Sequence, residues 1–305
     1  MAPFPSPTKI WHSETYPSLS PARPELSAAN KTVLITGVGT GIGAETARYF
    51  ARAGAARIAL LGRREQPLID TKADIEKTYP GVEVFVAATD VTDSRQVDAA
   101  FAKFVGNAKL DVLVHAAAMI GPQDPIKDVD LDKFAKSIDT NIRGSLAVAQ
   151  AFLRHAADEA VAIEINSSAA HVNFVASFAA YSVAKMAVFR LWDSLAFASP
   201  NIRVYHVQPG VVATDMNREA GGVEALGFED NVNLPASFNV WLASPEARFL
   251  KGRFLWANWD VDELKARSAE IEAGQELSLG LGGWPFARED YKFQAHGSAN
   301  SAWST

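Results

Sequence analysis

Short apolar segments alternate with longer segments of helical periodicity through most of the chain. The pattern predicts strands at 32–36, 57–61, 82–87, 110–115, immediately before Ser168, and at 202–207. It predicts helices at 44–53, 68–78, from Asp93 or Ser94 to 105, at 132–157, and from Tyr181 to 198. Because the two types alternate without a break in composition, we expect an α/β fold, a doubly wound parallel sheet of about seven strands with helices on both faces.

The two ends of the chain depart from this alternation. Residues 1–30 hold many of the prolines and serines, which predicts an irregular arm that is either mobile or laid over the domain surface. The alternating part is expected to form a single domain over residues 31–260. Residues 261–305 are expected to add one helix and a tail with an aromatic stretch.

Composition narrows the classes of partner. The chain has 305 residues, of which 48% are hydrophobic, and a formal net charge of −6 that argues against nucleic acid. No apolar stretch reaches the length of a membrane span. Zero cysteines exclude thiol chemistry, and the six histidines form no His-x-x-x-His pair, so no metal site is predicted. The first thirty residues resemble neither a secretory nor a mitochondrial signal, which favours a cytoplasmic protein.

Four glycines separate the first predicted strand from the first predicted helix. Gly37, Gly39, Gly41 and Gly43 permit a tight turn and close backbone approach, and the helix behind them offers unpaired N–H groups to a phosphate. A glycine-rich loop without a ligand is the alternative. The strand before and the helix after favour a dinucleotide-binding turn.

Two arginines follow the second predicted strand. NAD-binding units usually place an acidic residue there to hold the ribose 2′-hydroxyl, whereas an arginine accommodates a 2′-phosphate. This chain has Arg63 and Arg64 and no acid at that point. NADP(H) is therefore favoured over NAD(H), although one of the two arginines could simply be solvated.

Tyr181 and Lys185 are four residues apart on a predicted helix, so their side chains share one face. A free phenol is a poor base at neutral pH, and a nearby cation stabilises the phenolate. Ser168, at the end of a predicted strand, could bring its hydroxyl to the same place. A tyrosine and a lysine at this spacing also occur by chance, so the pair depends on its context.

In that context the chain resembles the short-chain dehydrogenase/reductase family over roughly residues 31–260. The resemblance is carried by the turn TGVGTGIG at 36–43, by an aspartate after the third strand, by four catalytic positions, and by Pro209-Gly210 followed by Thr214. It implies a Rossmann fold. The catalytic residues it implies are Asn141, Ser168, Tyr181 and Lys185.

The resemblance also implies a role for each of these residues. Tyr181 would be the general acid for carbonyl reduction, Lys185 would assist it and hold the nicotinamide ribose, Ser168 would polarise the substrate oxygen, and Asn141 would position a water. Pattern and resemblance together predict cofactor contacts at Gly37, Thr40, Gly41, Ile42, Gly43, Arg63, Arg64, Asp90, Val91, Ala116, Ala117, Asn141, Tyr181, Lys185, Pro209, Gly210, Val212 and Thr214.

Two histidines, His115 and His171, lie close to predicted site residues. The family's usual Asn-Asn-Ala-Gly after the fourth strand is here the run from His115 to Ala118, which removes amides that often brace the sheet. His115 is expected to be structural because it lies in an apolar strand. His171 is expected to face water from a loop, with contact to a substrate as the alternative.

Residues 211–235 correspond to the family's variable substrate loop, and Gly221-Gly222 would give it freedom to move. Its apolar side chains, Met216, Val223, Leu226 and Phe228, suggest a moderately apolar substrate. The expected function is NADP(H)-dependent reduction of a ketone or aldehyde of small to medium size. The alternatives are a non-redox cyclase, epimerase or dehydratase on the same scaffold, and an NADP(H)-sensing protein. The resemblance implies a homodimer or homotetramer.

Overall fold

Seven parallel strands form one sheet in the computed structural model of the protein, which describes residues 3–223 and 227–281. In chain order the strands are β1 (Thr32–Thr36), β2 (Arg57–Gly62), β3 (Glu83–Ala88), β4 (Leu110–His115), β5 (Ala156–Ile165), β6 (Arg203–Gln208) and β7 (Phe254–Trp256). Their spatial order is β3-β2-β1-β4-β5-β6-β7. Across the sheet the strand numbers fall from β3 to β1 and then rise from β4 to β7. A parallel sheet with this order is doubly wound, which confirms the predicted fold.

Helices cover both faces of the sheet. They are α1 (Gly41–Arg52), α2 (Glu65–Thr78), α3 (Ser94–Val105), α4 (Leu131–His155), α5 (Ala179–Ala198), α6 (Asp215–Glu219), α7 (Asn233–Ala243), α8 (Val261–Ala266) and α9 (Ser268–Ala273). Alternate side chains of β1 point to opposite faces: Val33 and Ile35 pack with α1, α2 and α7, while Leu34 packs with α3, α4 and α5. This alternation gives the sheet two hydrophobic layers, one on each face.

Most predicted elements lie within three residues of the observed ones, and β1 and β4 have the predicted bounds. Helix α1 begins inside the glycine pattern, earlier than expected. Asp93 is the N-cap of α3, where its side chain accepts hydrogen bonds from two backbone N–H groups. The loop predicted at 211–235 contains α6 and the start of α7, and two short helices, α8 and α9, occupy the place of one predicted helix.

The arm is laid over the domain, the second of the two expected alternatives. Backbone hydrogen bonds join His12 N to Asn258 O at 2.9 Å and Asn231 N to Ser13 O at 2.7 Å. The Tyr16 hydroxyl accepts from the backbone N–H of Val261 at 2.8 Å, and burial raises the pKa of this phenol. Two short 3₁₀ turns, Pro17–Leu19 and Pro24–Leu26, each bury a leucine in the core. The arm therefore connects the substrate loop with the segment after β7.

Candidate active site

The turn between β1 and α1 is closely packed. Gly37 and Gly41 have φ angles of +77° and +62°, which favour glycine. A methyl group added to Gly37 would lie 2.7 Å from the carbonyl carbon of Ala116, and one added to Gly43 would lie 2.6 Å from the oxygen of Gly37. One added to Gly41 would lie 2.7 Å from Cγ2 of Thr214. The turn, the end of β4 and the segment after β6 thus meet around a cradle that only glycine fits.

Helix α1 starts directly behind this cradle. The first N–H groups of a helix have no intrahelical partners and suit an anion. Thr40, which precedes the helix, does not cap it with its side chain, and its hydroxyl donates to Asp215 Oδ2 at 3.0 Å. Ile42 lies half-buried in the first turn. These N–H groups are therefore placed to receive a phosphate.

Arg63 and Arg64, both exposed, follow β2. Arg64 Nη2 donates to Asp215 Oδ2 at 3.1 Å and is the atom nearest to a methyl group built on Gly39, at 3.5 Å. The hydrogen bond from Arg64 is the leading cause that lowers the pKa of Asp215. Arg63 has no ion pair within the described part of the chain, and its charge contributes to lowering the pKa of Asp90. Asp215, next to the predicted Thr214, is an acidic group that the sequence interpretation missed.

Asp90 and Val91 lie beyond the end of β3. Asp90 Oδ1 accepts from the backbone N–H of Thr92 at 2.9 Å and from its hydroxyl at 2.8 Å, and these bonds lower the pKa of the carboxyl. Val91 packs against α4, since a methyl group added to Gly144 would lie 2.8 Å from its Cγ2. One carboxylate oxygen of Asp90 thus stabilises its own turn, while Oδ2 makes no hydrogen bond within residues 3–223 and 227–281.

The end of β4 is held by His115. Its Nδ1 lies 2.8 Å from Thr36 Oγ1 and its Nε2 lies 2.9 Å from Ser145 Oγ, so the ring joins β1, β4 and α4. Burial lowers the pKa of His115 to about 4. Ala116 and Ala117 donate their N–H groups to Thr36, at 3.3 Å to O and 3.4 Å to Oγ1. The arrangement fits the predicted structural role, with an imidazole bracing the sheet where the family usually has amides.

Asn141 lies buried near the middle of α4. Its Oδ1 accepts from Met119 N at 3.1 Å, and its Nδ2 donates to Met119 O at 3.0 Å and to Ser137 O at 2.9 Å. Both N–H groups are therefore used by the backbone, and one lone pair of Oδ1 stays available to a water. The residue fixes the segment after β4 against α4.

Tyr181 and Lys185 lie in the first two turns of α5. Lys185 is 4% exposed, and its Nζ donates to the carbonyl oxygen of Ile165, at the end of β5, at 2.8 Å. The same nitrogen lies 5.8 Å from the centre of the Tyr181 ring. Tyr181 is the third residue of α5, so it lies at the positive end of the helix dipole.

Ser168 opens a short 3₁₀ turn after β5 and is held by β6. Its backbone N–H donates to Gln208 Oε1 at 2.9 Å. Gln208 is a second residue missed at the sequence level, although it directly precedes the predicted Pro209. Within the described part of the chain, no hydrogen bond joins the side chains of Asn141, Ser168 and Tyr181 to one another.

A buried polar network lies beneath Lys185. Asn166 Nδ2 donates to Glu164 Oε2 at 2.8 Å and to the backbone oxygen of Lys185 at 3.2 Å, and His206 Nδ1 lies 3.2 Å from the same Glu164 oxygen. Burial opposes ionisation of Glu164, but the contact with His206 and the charge of Lys185 outweigh it and lower the pKa of the carboxyl. The charge of this buried carboxylate interacts with that of the proposed catalytic lysine, and the sequence did not reveal the contact.

The segment after β6 closes the cradle. Pro209 and Val212 are buried, and Gly210 has a φ of +96° with its Cα against the side chain of Asp230. Thr214 is the N-cap of α6 and accepts a backbone N–H at 3.1 Å. These contacts hold the predicted nicotinamide-binding segment beside the glycine turn.

Of the apolar side chains predicted for substrate contact, Met216, Val223 and Phe228 are half-buried. Phe228 meets Phe4 of the arm edge-on, with ring centres 5.4 Å apart. Leu226 lies outside the described residues. The arm thus reaches the substrate loop.

His171 is exposed over part of its surface, as expected for a loop residue, but its ring is not free. Trp256 Nε1 donates to His171 Nε2 at 3.2 Å, and Phe254 packs edge-on at 4.8 Å. His171 therefore faces water on one side, as expected, and contacts aromatic residues of β7 on the other.

No group of three or more potential metal ligands occurs in the described ranges 3–223 and 227–281. No helix in the described part of the chain is both long and apolar enough to cross a membrane.

The comparisons with known proteins decide the family. The sequence model of the short chain dehydrogenase family matches residues 31–224. The chain belongs to the short-chain dehydrogenase/reductase family. It is 34% identical to the short chain dehydrogenase/reductase AacuD of Aspergillus aculeatus, over 91% of this chain and 97% of the relative. It is 32% identical to the short chain dehydrogenase/reductase nsrO of Aspergillus novofumigatus, over 91% of this chain and 97% of that relative.

Solved structures agree with this family membership. A dehydrogenase/reductase from Sinorhizobium meliloti 1021 superposes with a TM-score of 0.69 at 26% identity, covering 79% of this chain and 97% of that one. A short-chain dehydrogenase/reductase from Serratia marcescens gives 0.67 at 26% identity, covering 75% and 96%. As a short-chain dehydrogenase/reductase the protein is an oxidoreductase with a nicotinamide cofactor. The cradle of Gly37, Gly41 and Gly43, open to the N-terminus of α1, fits such a dinucleotide.

Proposed function

We propose that the protein reduces a ketone or aldehyde to an alcohol with NADP(H), with Tyr181 as the general acid. The observation that carries the proposal is the position of the buried Lys185 ammonium, 5.8 Å from the centre of the Tyr181 ring and bonded to the backbone of β5. A buried cation beside a phenol favours loss of the phenol proton, because it stabilises the phenolate.

In the proposed reaction the bound nicotinamide supplies the hydride that the carbonyl carbon accepts. Ser168 donates a hydrogen bond to the carbonyl oxygen, and Tyr181 donates the proton that this oxygen acquires. Lys185 and the N-terminus of α5 stabilise the resulting phenolate. Asn141 keeps the segment after β4 in place through its bonds to Met119. The phenolate then recovers a proton from solvent.

The preference for NADP(H) rests on Arg63 and Arg64 and on the lack of an acid at the end of β2. Arg63→Ala should weaken NADPH binding by about tenfold to hundredfold, the range for hydrogen bonds to charged groups, and NADH binding far less. The matched control is Arg52→Ala, because Arg52 is an exposed arginine at the end of α1 that lies away from the glycine turn. Equal losses for both cofactors would mean that the 2′-phosphate is held elsewhere.

The experiment that tests the function begins with titration of the purified protein by NADPH and by NADH, followed through nicotinamide fluorescence. Loss of reduced-nicotinamide absorbance is then measured across a panel of ketones, aldehydes and quinones. Tight NADPH binding with oxidation by a carbonyl compound is the expected result. Binding without oxidation would favour a non-redox enzyme or a cofactor-sensing protein, and absence of binding would contradict the site assignment.

We also propose self-association through α4 and α5. Their exposed surface carries large apolar side chains, with Phe197 91% exposed and Leu146, Leu153, Val183 and Met186 each more than 40% exposed. Light scattering during size-exclusion chromatography should give at least twice the monomer mass, and Phe197→Asp should lower it. A monomeric native protein would contradict the proposal.

A further inference from the structure

A cavity of about 280 Å³ lies between the arm, β7 and residues 277–279. This volume is close to the lower end of the range for small-molecule sites, roughly 300–1,000 Å³. Its walls are mostly apolar and aromatic, and they include Phe4, His171, Val172, Phe254, Trp256 and Trp259. The cavity therefore has the size and the lining of a site for a small organic molecule.

The cavity is attached directly to the turn that carries Ser168. The backbone N–H groups of His171 and Val172 both donate to the carbonyl oxygen of Ser168, at 2.9 and 2.8 Å. The wall of the cavity and the hydroxyl proposed to polarise the substrate thus belong to one short 3₁₀ turn and its immediate continuation. A molecule in the cavity would contact the residues three and four positions after Ser168.

The lining disfavours an anionic ligand. An indole N–H can only donate, so the bond from Trp256 Nε1 leaves His171 Nε2 without a proton and places the proton of the neutral ring on Nδ1. Burial of part of the ring lowers the pKa of His171 to about 4, which keeps it neutral at physiological pH. None of the described lining residues carries a charge there. An anionic ligand would lose its hydration without gaining a counter-charge.

The rings around the cavity suit an aromatic ligand. Phe4 meets Trp256 at 5.3 Å with planes at 60°, and Trp256 stacks on Trp259 at 6.2 Å with planes at 10°. His171 adds an edge-on contact with Phe254 at 4.8 Å. Ring faces and edges at these spacings are the partners that another aromatic ring prefers.

Most of this lining lies outside the segment that the family model matches. Only His171 and Val172 fall within residues 31–224, while the arm, β7 and residues 277–279 do not. The cavity is therefore built mainly by parts of the chain outside the matched segment.

We propose that this cavity binds a neutral aromatic ring of the substrate, so that the protein acts on aromatic ketones or aldehydes whose carbonyl group lies at Ser168 and Tyr181. The second part of this proposal, action on aromatic ketones or aldehydes, rests on the proposed carbonyl reduction. The first half, binding of a neutral aromatic molecule, is independent of turnover and can be measured separately.

The test compares 1-tetralone with 1-decalone, which have the same ring skeleton and carbonyl position but differ in aromaticity. Binding is measured by isothermal titration calorimetry on the Tyr181→Phe variant saturated with NADPH, where no turnover is expected. We expect 1-tetralone to bind roughly fivefold or more tightly than 1-decalone. In the unaltered protein kcat/KM should follow the same order.

The matched variants are Val172→Trp, which fills the cavity, and Val175→Trp, which adds the same ring at a side chain that is 45% exposed and does not line the cavity. Val172→Trp should weaken 1-tetralone binding roughly tenfold or more without changing the Kd for NADPH, and Val175→Trp should leave both unchanged. Phe4→Ala, in the arm, should also weaken 1-tetralone binding. Circular dichroism melting curves check that each variant is folded.

Equal binding of the two ketones, no binding of either, or full binding by folded Val172→Trp and Phe4→Ala would overturn the aromatic site. Selective 1-tetralone binding that both variants weaken supports it, even if no carbonyl compound is reduced. Selective binding without reduction would support the aromatic site and contradict the proposed reaction. The experiment therefore distinguishes failure of one from failure of the other.

Discussion

Arg64 and Asp215 are 151 residues apart in sequence and form an ion pair at the edge of the glycine turn, with Arg64 Nη2 3.1 Å from Asp215 Oδ2. The same carboxylate accepts from Thr40 and is also paired with Arg218. A cofactor phosphate bound between Thr40 and Arg64 would compete with Asp215 for both donors. The acid therefore opposes the proposed preference for NADP(H).

Asp215→Asn removes this competing charge and keeps the side-chain shape. We expect NADPH to bind roughly twofold to fivefold more tightly, in line with the strength of an exposed ion pair, and NADH to change little. Fluorescence titration measures both constants. Glu219→Gln removes the same charge from the end of the same helix and should have no effect. Weaker NADPH binding by Asp215→Asn would show that the acid positions Arg64 for the phosphate.

Tyr181→Phe removes only the hydroxyl of the proposed general acid. Turnover should fall by about a hundredfold or more, the range for general acid catalysis, while NADPH binding changes little because the ring stays in place. Steady-state kinetics and cofactor titration on the same preparation make the comparison. Phe178→Leu, which alters a ring 6.3 Å from Tyr181, serves as the control for packing. Near-normal turnover of Tyr181→Phe would remove this residue from the mechanism.

Gly37→Ala tests whether the cradle must be free of side chains. The methyl group would lie 2.7 Å from the backbone of Ala116 and Ala117, so cofactor binding should be lost or the protein destabilised. Gly54→Ala is matched, because Gly54 also has a positive φ, of +85°, but nothing within 4 Å of the added methyl. Similar cofactor affinities and melting temperatures for the two variants would argue against the close approach.

His115 should make the stability depend on pH. Its folded pKa of about 4 lies below the ordinary value of 6.5, so between these values the unfolded state binds a proton that the folded state does not. The free energy of unfolding should fall as the pH drops through this window, by roughly 3 kcal/mol in total at about 1.4 kcal/mol per pKa unit. Above pH 6.5 the contribution should be constant.

His115→Asn restores the residue type that is usual in the family and removes this titration. Urea unfolding at several pH values should show a shallower decrease in the free energy of unfolding between pH 6.5 and pH 4 than for the native protein. An unchanged pH dependence would assign the effect to other groups.

The parts of the site that were predictable from sequence are those within one element or at its end. Tyr181 and Lys185 share a helix, and the glycine turn shows itself by the strand before it and the helix after it. Asp215 and Gln208 are different, because their contacts with Arg64 and Ser168 depend on how distant segments meet in space. Neither contact has a local pattern.

The same distinction holds for the fold. Strands of five residues or more carry a readable apolar run, whereas β7 has three residues and is defined by its pairing with β6. Glu164 and His206 lie 42 residues apart and meet because their strands pair in that register. Polar residues in a buried strand depart from the apolar pattern that predicts such a strand. Their presence in β5 and β6 is explained by the contact that strand pairing gives them.

The arm has a consequence for how the protein is made. Residues 8–26 leave the ribosome long before residues 230–263, which supply the partners of His12, Ser13 and Tyr16. N-terminal parts of a chain generally fold first during synthesis. Here the earliest residues must instead wait, because the surface they cover does not exist until β7 has joined the sheet. Docking of the arm is thus a late event in biogenesis, and until it occurs Leu19 and Leu26 are exposed to chaperones and proteases.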